Sequence, residues 1–162
     1  MALIELRNVK PRFGHQVALN GVDLCVERGQ SLVILGASGS GKSVTLKHMT
    51  GLLRPDHGEV WFDGNRVDCL PERKLVPIRK RFGFLFQMGA LFDSLTVEEN
   101  IAFPLVEHTQ KSKEEIREIV HHKLKLVGLP DVGKKMPAEL SGGQRKRIGL
   151  ARAIALNPEV IL

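Results

Sequence analysis

The sequence predicts an α/β fold in which a β-rich half is joined to a helical insert, and three observations carry this. Val22, Leu24 and Val26 alternate with Asp23, Cys25 and Glu27, as in a half-buried strand. Ser31 to Leu35 is a short apolar run that ends at Gly36, runs into a Gly/Ser-rich loop and is followed by a helical stretch near Lys42 to Leu52. From about Gly89 to Arg152 apolar residues recur at helical spacing.

Taken in order, residues 3–9 and 17–27 read as an antiparallel β start separated by glycine-containing turns. Ser31–Leu35 then reads as a fully buried strand, and the segment after the loop as a helix. Gly58 to Val67 reads as a hairpin, because Asp63-Gly64-Asn65 is favourable turn chemistry between two β-prone stretches. Phe82 to Phe86 reads as another buried strand.

In the helical region, Ile116, Ile119, Val120, Leu124 and Val127 share a face, Ser112-x-x-Glu115 is a capping box that opens the helix, and Gly128 closes it. Ile148, Ala151, Ile154 and Ala155 form a second periodic set before Pro158, after which Val160-Ile161-Leu162 begins a buried strand. The expected division is a β-rich core over about 1–88 and 155–162 and a helical subdomain over about 89–154. No internal repeat or linker-like stretch interrupts this order.

Length and composition bound the function classes. At 162 residues the chain is about one domain, with a core large enough to need no disulfide staples. Apolar residues are 43%, charged residues 26%, and 16 Gly and 8 Pro show no collagen-like or low-complexity bias, so disorder is excluded. A net charge of +6 suits anionic partners: nucleotide phosphates, anionic membranes or nucleic acid. Cys25 and Cys69 stand far apart in no metal-like spacing and read as reduced thiols. Glu5, Arg7 and Asn8 interrupt any signal-peptide pattern, and the densest apolar run, Phe82 to Phe92, contains Gln87 and is too short to span a bilayer. Any membrane role is therefore expected to be peripheral.

The strongest chemical signal is Gly36-Ala37-Ser38-Gly39-Ser40-Gly41-Lys42-Ser43, which fits GxxxxGK[ST] between an expected strand and an expected helix. Glycines let successive backbone N–H groups turn inward on phosphate oxygens, and the helix that follows adds its N-terminal partial charge. Lys42 supplies a full charge for the β- and γ-phosphates, and the Ser43 hydroxyl is placed to ligate Mg²⁺.

The second signal, 99 residues on from Lys42 to Ser141, is Leu140-Ser141-Gly142-Gly143-Gln144. Ser141-x-x-Gln144 has capping-box spacing, and two glycines permit close backbone approach. Together the two motifs resemble the ABC ATPase family, whose LSGGQ signature is complete here; the resemblance runs along essentially the whole chain.

That resemblance implies a P-loop NTPase fold of the ABC ATPase type, with ATP and Mg²⁺ as ligand and cofactor. It places Val44 at the end of the phosphate loop, where many relatives carry Thr, so that its backbone N–H rather than a hydroxyl faces the α-phosphate. Phe13 matches the aromatic that stacks on adenine, and Gln87 the Q-loop glutamine that touches Mg²⁺ and the water near the γ-phosphate. Ser141, Gly142, Gly143 and Gln144 match the signature that grips ATP bound to a second ATPase subunit in a head-to-tail dimer. The family's Walker B Asp and Glu, its D-loop and its switch His are absent from residues 1–162. The expectation is therefore a truncated chain that binds nucleotide and hydrolyses it negligibly, its complete form being an ATPase.

Phe82 to Phe92, Leu95 to Leu105 and Gly41-Lys-Ser-Val44 further resemble the ATPase subunit of Mla-type phospholipid transporters. The resemblance implies a cytoplasmic subunit, peripheral on the inner membrane, beneath a permease and working with an MCE-type lipid-binding protein. It also makes 88–103 the expected permease contact. An ABC transporter for another cargo is the alternative, and a regulatory or nucleic-acid-associated ABC ATPase is the alternative of another class. The chromosome-organising type needs a long coiled coil between the two motifs, and no sustained heptads occur there. The basic cluster Arg145, Lys146, Arg147 and Arg152 lies on a helix with an apolar face and reads as a solvated or subunit-facing surface, with no direct nucleic acid. The six histidines, at 15, 48, 57, 108, 121 and 122, read as solvated or structural.

Overall fold

The computed structural model describes residues 2–10, 12–13, 16–17, 21–87 and 89–162, with the side chains of 12, 13, 16 and 17 outside the description. Packing divides the chain into two compact units, Met1–Arg79 and Lys80–Leu162.

The first unit is built on a four-stranded antiparallel sheet. Strands β1 (Ala2–Lys10), β2 (Arg12–Phe13), β3 (Gln16–Val17) and β4 (Val22–Glu27) come first in the chain, followed by helix α1 (Lys42–Met49), strands β5 (His57–Phe62) and β6 (Asn65–Arg66), and helix α2 (Glu72–Arg79). The main sheet has the order β4-β1-β5-β6, while β2 and β3 form a separate small hairpin. Leu6 sits opposite Leu24 on one side and Val60 on the other, so β1 is the central strand. Its Leu3, Ile4, Leu6 and Val9 are buried with Met49, Val60, Phe62, Val67 and Leu75. Full burial of each large aliphatic or aromatic side chain stabilises by about 1.5–3 kcal/mol. The expected antiparallel start and the expected hairpin are both present, the latter with Asp63 and Gly64 at positive φ between β5 and β6.

An irregularity in β1 explains one glycine. Asn8 adopts φ 48 where the β1 register shifts, and its backbone N–H donates to Asp23 Oδ1 at 2.8 Å. Gly58, at φ 92, crosses this bulge so closely that a Cβ would lie 2.4 Å from the Asn8 carbonyl oxygen. Only glycine fits both the backbone angle and the gap.

The expected buried strand Ser31–Leu35 is not found. These residues have no strand pairing, and Leu32, Val33 and Leu35 are 45%, 76% and 87% exposed. An apolar run becomes a central strand only when neighbouring strands supply its backbone partners. Among the described residues the sheet closes as β4-β1-β5-β6 without it.

The second unit contains strand β7 (Phe82–Gly83), helices α3 (Val97–His108), α4 (Lys113–Leu126) and α5 (Gly142–Ala153), and strand β8 (Val160–Ile161). The three helices share a core of Val97, Ile101, Leu105, Val120, Leu124, Ile148, Ala151 and Ala155. The capping box expected at Ser112 and Glu115 opens α4, and Gly128, at φ 69, follows its C-cap Val127. Thr96 and Glu99 form a second such box at α3. The strand expected over 82–86 is shorter, two residues paired in parallel with β8, and beyond it the Leu85 N–H donates to the Leu162 carbonyl at 2.8 Å.

Candidate functional site

The glycine-rich loop and α1 form one local structure within the first unit. Ser40 N–H donates to the Ala37 carbonyl at 3.2 Å, and Gly39 and Gly41 take φ 80 and 91, so the chain doubles back before the helix begins. A Cβ on Gly36 would meet Ser40 Oγ at 2.5 Å, which is why the loop closes on itself here. Gly41 is the N-cap of α1 and offers no side chain to cap the first turn, which contains no acidic residue. The first-turn N–H groups and the helix dipole therefore present partial positive charge at the loop, beside Lys42 and the exposed Ser43 hydroxyl.

Lys42 Nζ donates to the carbonyl oxygens of Gly36 at 2.7 Å and Ala37 at 2.8 Å, so the ammonium is held across its own loop. The ammonium and the first-turn N–H groups fit a polyphosphate. Mg²⁺ fits the same site through a hydroxyl and phosphate oxygens, since it keeps several waters and needs no all-protein cage. Among the described residues no cluster of three or more His, Cys, Asp or Glu offers such a cage elsewhere.

The far end of α1 is anchored firmly. His48 is buried, and its Nδ1–H donates to the Leu53 carbonyl at 2.9 Å while Nε2 is left without a partner. Burial lowers the His48 pKa, opposed by the Leu53 hydrogen bond and by Asp56. Arg79 of α2 donates to the Thr50 and Gly51 carbonyls at 3.2 and 2.8 Å, and also pairs with Glu72. The phosphate loop thus rests on a helix whose C-terminal turn is tied down from two directions.

In the second unit, Gln87 is exposed in the turn after β7, where the Gly89 N–H donates to the Phe86 carbonyl at 2.9 Å. Ser141 is the N-cap of α5: its Oγ accepts from Gln144 N–H at 3.3 Å, and Gln144 Oε1 accepts from Ser141 N–H at 2.9 Å. Gln144 is therefore spent on the cap, and the groups left facing outward are the exposed Gly142 and Gly143, beside which a Cβ would meet nothing within 4 Å. This is an open helix N-terminus that a large anion can approach along the backbone. Phe13 lies in β2 opposite Gln16, and its side chain is outside the described residues. Val44 follows Ser43 in the first turn of α1 and is half-buried.

The basic cluster, expected as a solvated or subunit-facing surface, has Lys146 and Arg147 exposed and Arg145 and Arg152 half-buried. Arg145 donates to the Leu140 carbonyl, Arg147 to Val127, and Arg152 to Gly89 and Ala90, so three of these four cations bind the chain's own backbone. Sequence spacing placed them on one helix but could not show acceptors that lie up to 63 residues away. An aromatic pair was also missed: Phe92 and Phe103 stand 4.8 Å apart between ring centroids and are exposed at 43% and 41%.

Residues 19–162 match the family profile described as ABC transporter. The chain is 49% identical over 159 residues to the probable ribonucleotide transport ATP-binding protein mkl of Mycobacterium leprae, covering 98% of this chain and 46% of that protein. It is 45% identical over 160 residues to the intermembrane phospholipid transport system ATP-binding protein MlaF of Haemophilus influenzae, covering 99% of this chain and 61% of that one. The chain thus spans about half to three-fifths of the length of these relatives. A dimeric post-hydrolysis structure of the ATP-binding cassette MJ0796 bound to ADP and Pi superposes with a TM-score of 0.89 at 36% identity, over 98% of this chain and 72% of that one.

Proposed function

Since the chain belongs to the ABC transporter family, we propose that it is the ATP-binding part of a transport ATPase that serves phospholipid trafficking at the inner face of the cell membrane. The carrying observation is that one chain holds two differently built phosphate-facing helix ends. One is uncapped behind a glycine loop with Lys42, and the other is self-capped by Ser141 and Gln144 behind two open glycines. The first suits the chain's own nucleotide and the second the nucleotide of a partner copy.

In this reading Gly36 to Ser43 wrap the triphosphate, Lys42 moves its ammonium from the Gly36 and Ala37 carbonyls onto the β- and γ-phosphates, and the Val44 N–H reaches the α-phosphate. Phe13 stacks on the adenine. Ser43 and Gln87 would hold Mg²⁺, which would supply neutralising charge for the terminal phosphates. Ser141, Gly142 and Gly143 of one copy contact the γ-phosphate held by the other, so that ATP draws two chains together head to tail and its hydrolysis releases them. In this division by role, 1–88 with 155–162 bind nucleotide and 89–154 form the signature subdomain. Residues 1–162 contain both binding parts of this reading, the phosphate loop and the signature.

The exposed Phe92–Phe103 pair on the unit that holds Gln87 is the permease contact in this reading. Among the described residues no helix is long and apolar enough to cross a membrane. In this reading the partner supplies the transport path. An MCE-type protein completes the assembly. The phospholipid cargo rests on the resemblance to MlaF, and the mkl relatives, named for ribonucleotide transport, favour a second cargo reading.

The test is to purify the gene product, tagged at its N-terminus, from gently solubilised membranes and identify co-purifying proteins and small molecules by mass spectrometry. A permease, an MCE-type protein and phospholipid are expected. Co-purified ribonucleotides other than ATP and ADP, without phospholipid, would favour the second cargo, and a chain recovered alone would overturn the transport reading.

A further inference from the structure

The segment that follows Gln87 is fastened to the signature helix at several points. Arg152, in the last turn of α5, donates to the Ala90 and Gly89 carbonyls, each at 2.8 Å, and its guanidinium stands 5.6 Å from the Phe92 ring centroid. Gly149, one turn earlier, meets Gly89 so closely that a Cβ would lie 2.8 Å from the Gly89 Cα. Gly89 itself, at φ 79, would drive a Cβ to 2.7 Å from the Arg145 carbonyl oxygen. Residues 89–92 therefore lie in a groove on α5 that side chains on either wall would close.

The same segment is held from the other side by α3. Asn100 is fully buried; its Oδ1 accepts from Phe92 N–H at 2.8 Å, and its Nδ2 donates to the Phe92, Leu95 and Thr96 carbonyls at 3.1, 3.0 and 2.9 Å. Such a multiply satisfied buried amide fixes a loop in one conformation. The result is a strap, 89–96, with Phe92 on its outer side and α5 beneath it.

We propose that Arg152 is a positioning residue that makes the strap and the signature helix one mechanical piece, so that a partner helix pressing on Phe92 and Phe103 moves the Ser141-Gly142-Gly143 end of α5. This rests on the proposed permease contact. A guanidinium suits the task because it donates to two carbonyls at once through a rigid planar fork while standing 5.6 Å from a ring centroid, a pairing that a compact ammonium does not match. Helix α5 is 12 residues long, about 18 Å at 1.5 Å per residue, and transmits a displacement of one end to the other. Arg152 touches no nucleotide in this scheme; it acts through the strap.

The test uses the full-length gene product assembled with its permease in lipid nanodiscs, comparing ATPase activity of the free and assembled forms. Arg152→Gln is expected to lower the ratio of permease-stimulated to basal turnover at least tenfold while the KM for ATP stays within about twofold. Arg152→Lys is expected to recover part of that ratio. A merely structural loss would lower both activities together and leave the ratio unchanged, and a wild-type ratio in Arg152→Gln overturns the proposal. If Arg152→Gln does not fold, hydrogen exchange on the wild-type protein decides: permease binding must alter amide protection at 89–95 and at Gly142–Gln144 together, and a change confined to 89–95 overturns it. A wild-type protein that neither binds nor responds to a permease overturns the transport reading instead, so the two failures are distinguishable.

Discussion

The Lys42 ammonium donates to the carbonyl oxygen of Gly36 at 2.7 Å, so the charge proposed for the terminal phosphates is stored across the mouth of the loop that would receive them. Nucleotide binding then exchanges two neutral carbonyl acceptors, Gly36 and Ala37, for anionic phosphate oxygens.

Lys42→Ala is therefore expected to weaken ATP binding at least about tenfold, as loss of a charge-assisted hydrogen bond of about 1.5–3 kcal/mol implies. Titration of the 162-residue chain with a fluorescent ATP analogue checks this. Equal affinity in wild type and variant would remove Lys42 from the site.

Gly142→Ala separates stability from function at the signature. Its Cβ would meet nothing within 4 Å, so the melting temperature should hold or rise slightly, alanine being the better helix former. The added methyl nevertheless stands over the open end of α5. ATP-dependent dimerisation of the full-length protein, followed by analytical ultracentrifugation, is expected to weaken severalfold. Ser141→Ala has the complementary outcome, a loss of about 1 kcal/mol of stability from the broken capping box, measured by denaturant titration.

Gly58→Ala should be among the costliest single changes outside the phosphate loop. The new Cβ would meet the Asn8 carbonyl oxygen at 2.4 Å in a backbone at φ 92. A destabilisation of about 2 kcal/mol or more is expected, with nucleotide affinity of the folded fraction unchanged. A melting temperature equal to that of wild type would show that the β1 bulge and β5 are packed otherwise.

His48 gives the fold an acid limit. Burial holds its pKa below the ordinary 6.5, so above pH 6.5 it is neutral in both folded and unfolded chains and contributes no pH dependence. Below pH 6.5 the unfolded chain takes up the proton first, so stability falls with pH until the lowered folded pKa is passed. His48→Asn keeps a donor near the Nδ1 position for the Leu53 carbonyl and does not titrate. Urea midpoints measured from pH 7.5 to 5 should decline less steeply in the variant, and parallel slopes would exclude His48 as the source.

Much of the fold was legible because its signals are local. Ser112 with Glu115 and Ser141 with Gln144 are reciprocal contacts three residues apart, and each opens the helix its spacing implies. Thr96 with Glu99 obeys the same rule at α3 and was available to the same reasoning. Helix α2 was not: Pro77 within it argues against a helix, and what holds it is Arg79 reaching the Thr50 and Gly51 carbonyls and Leu75 packed against Gly51.

The sequence alone determined where the two phosphate-facing motifs lie and what helix each begins, because glycine angles, caps and helix dipoles act within a few residues. Only the tertiary structure decided that Ser31–Leu35 finds no strand partners, that Asn100 holds the loop before α3, and that Arg152 donates to the Gly89 and Ala90 carbonyls. Those outcomes depend on backbone acceptors contributed from elsewhere in the chain, and for Arg152 from about sixty residues away. Periodicity shows which face of an element is apolar; it does not show which carbonyl a buried cation will find.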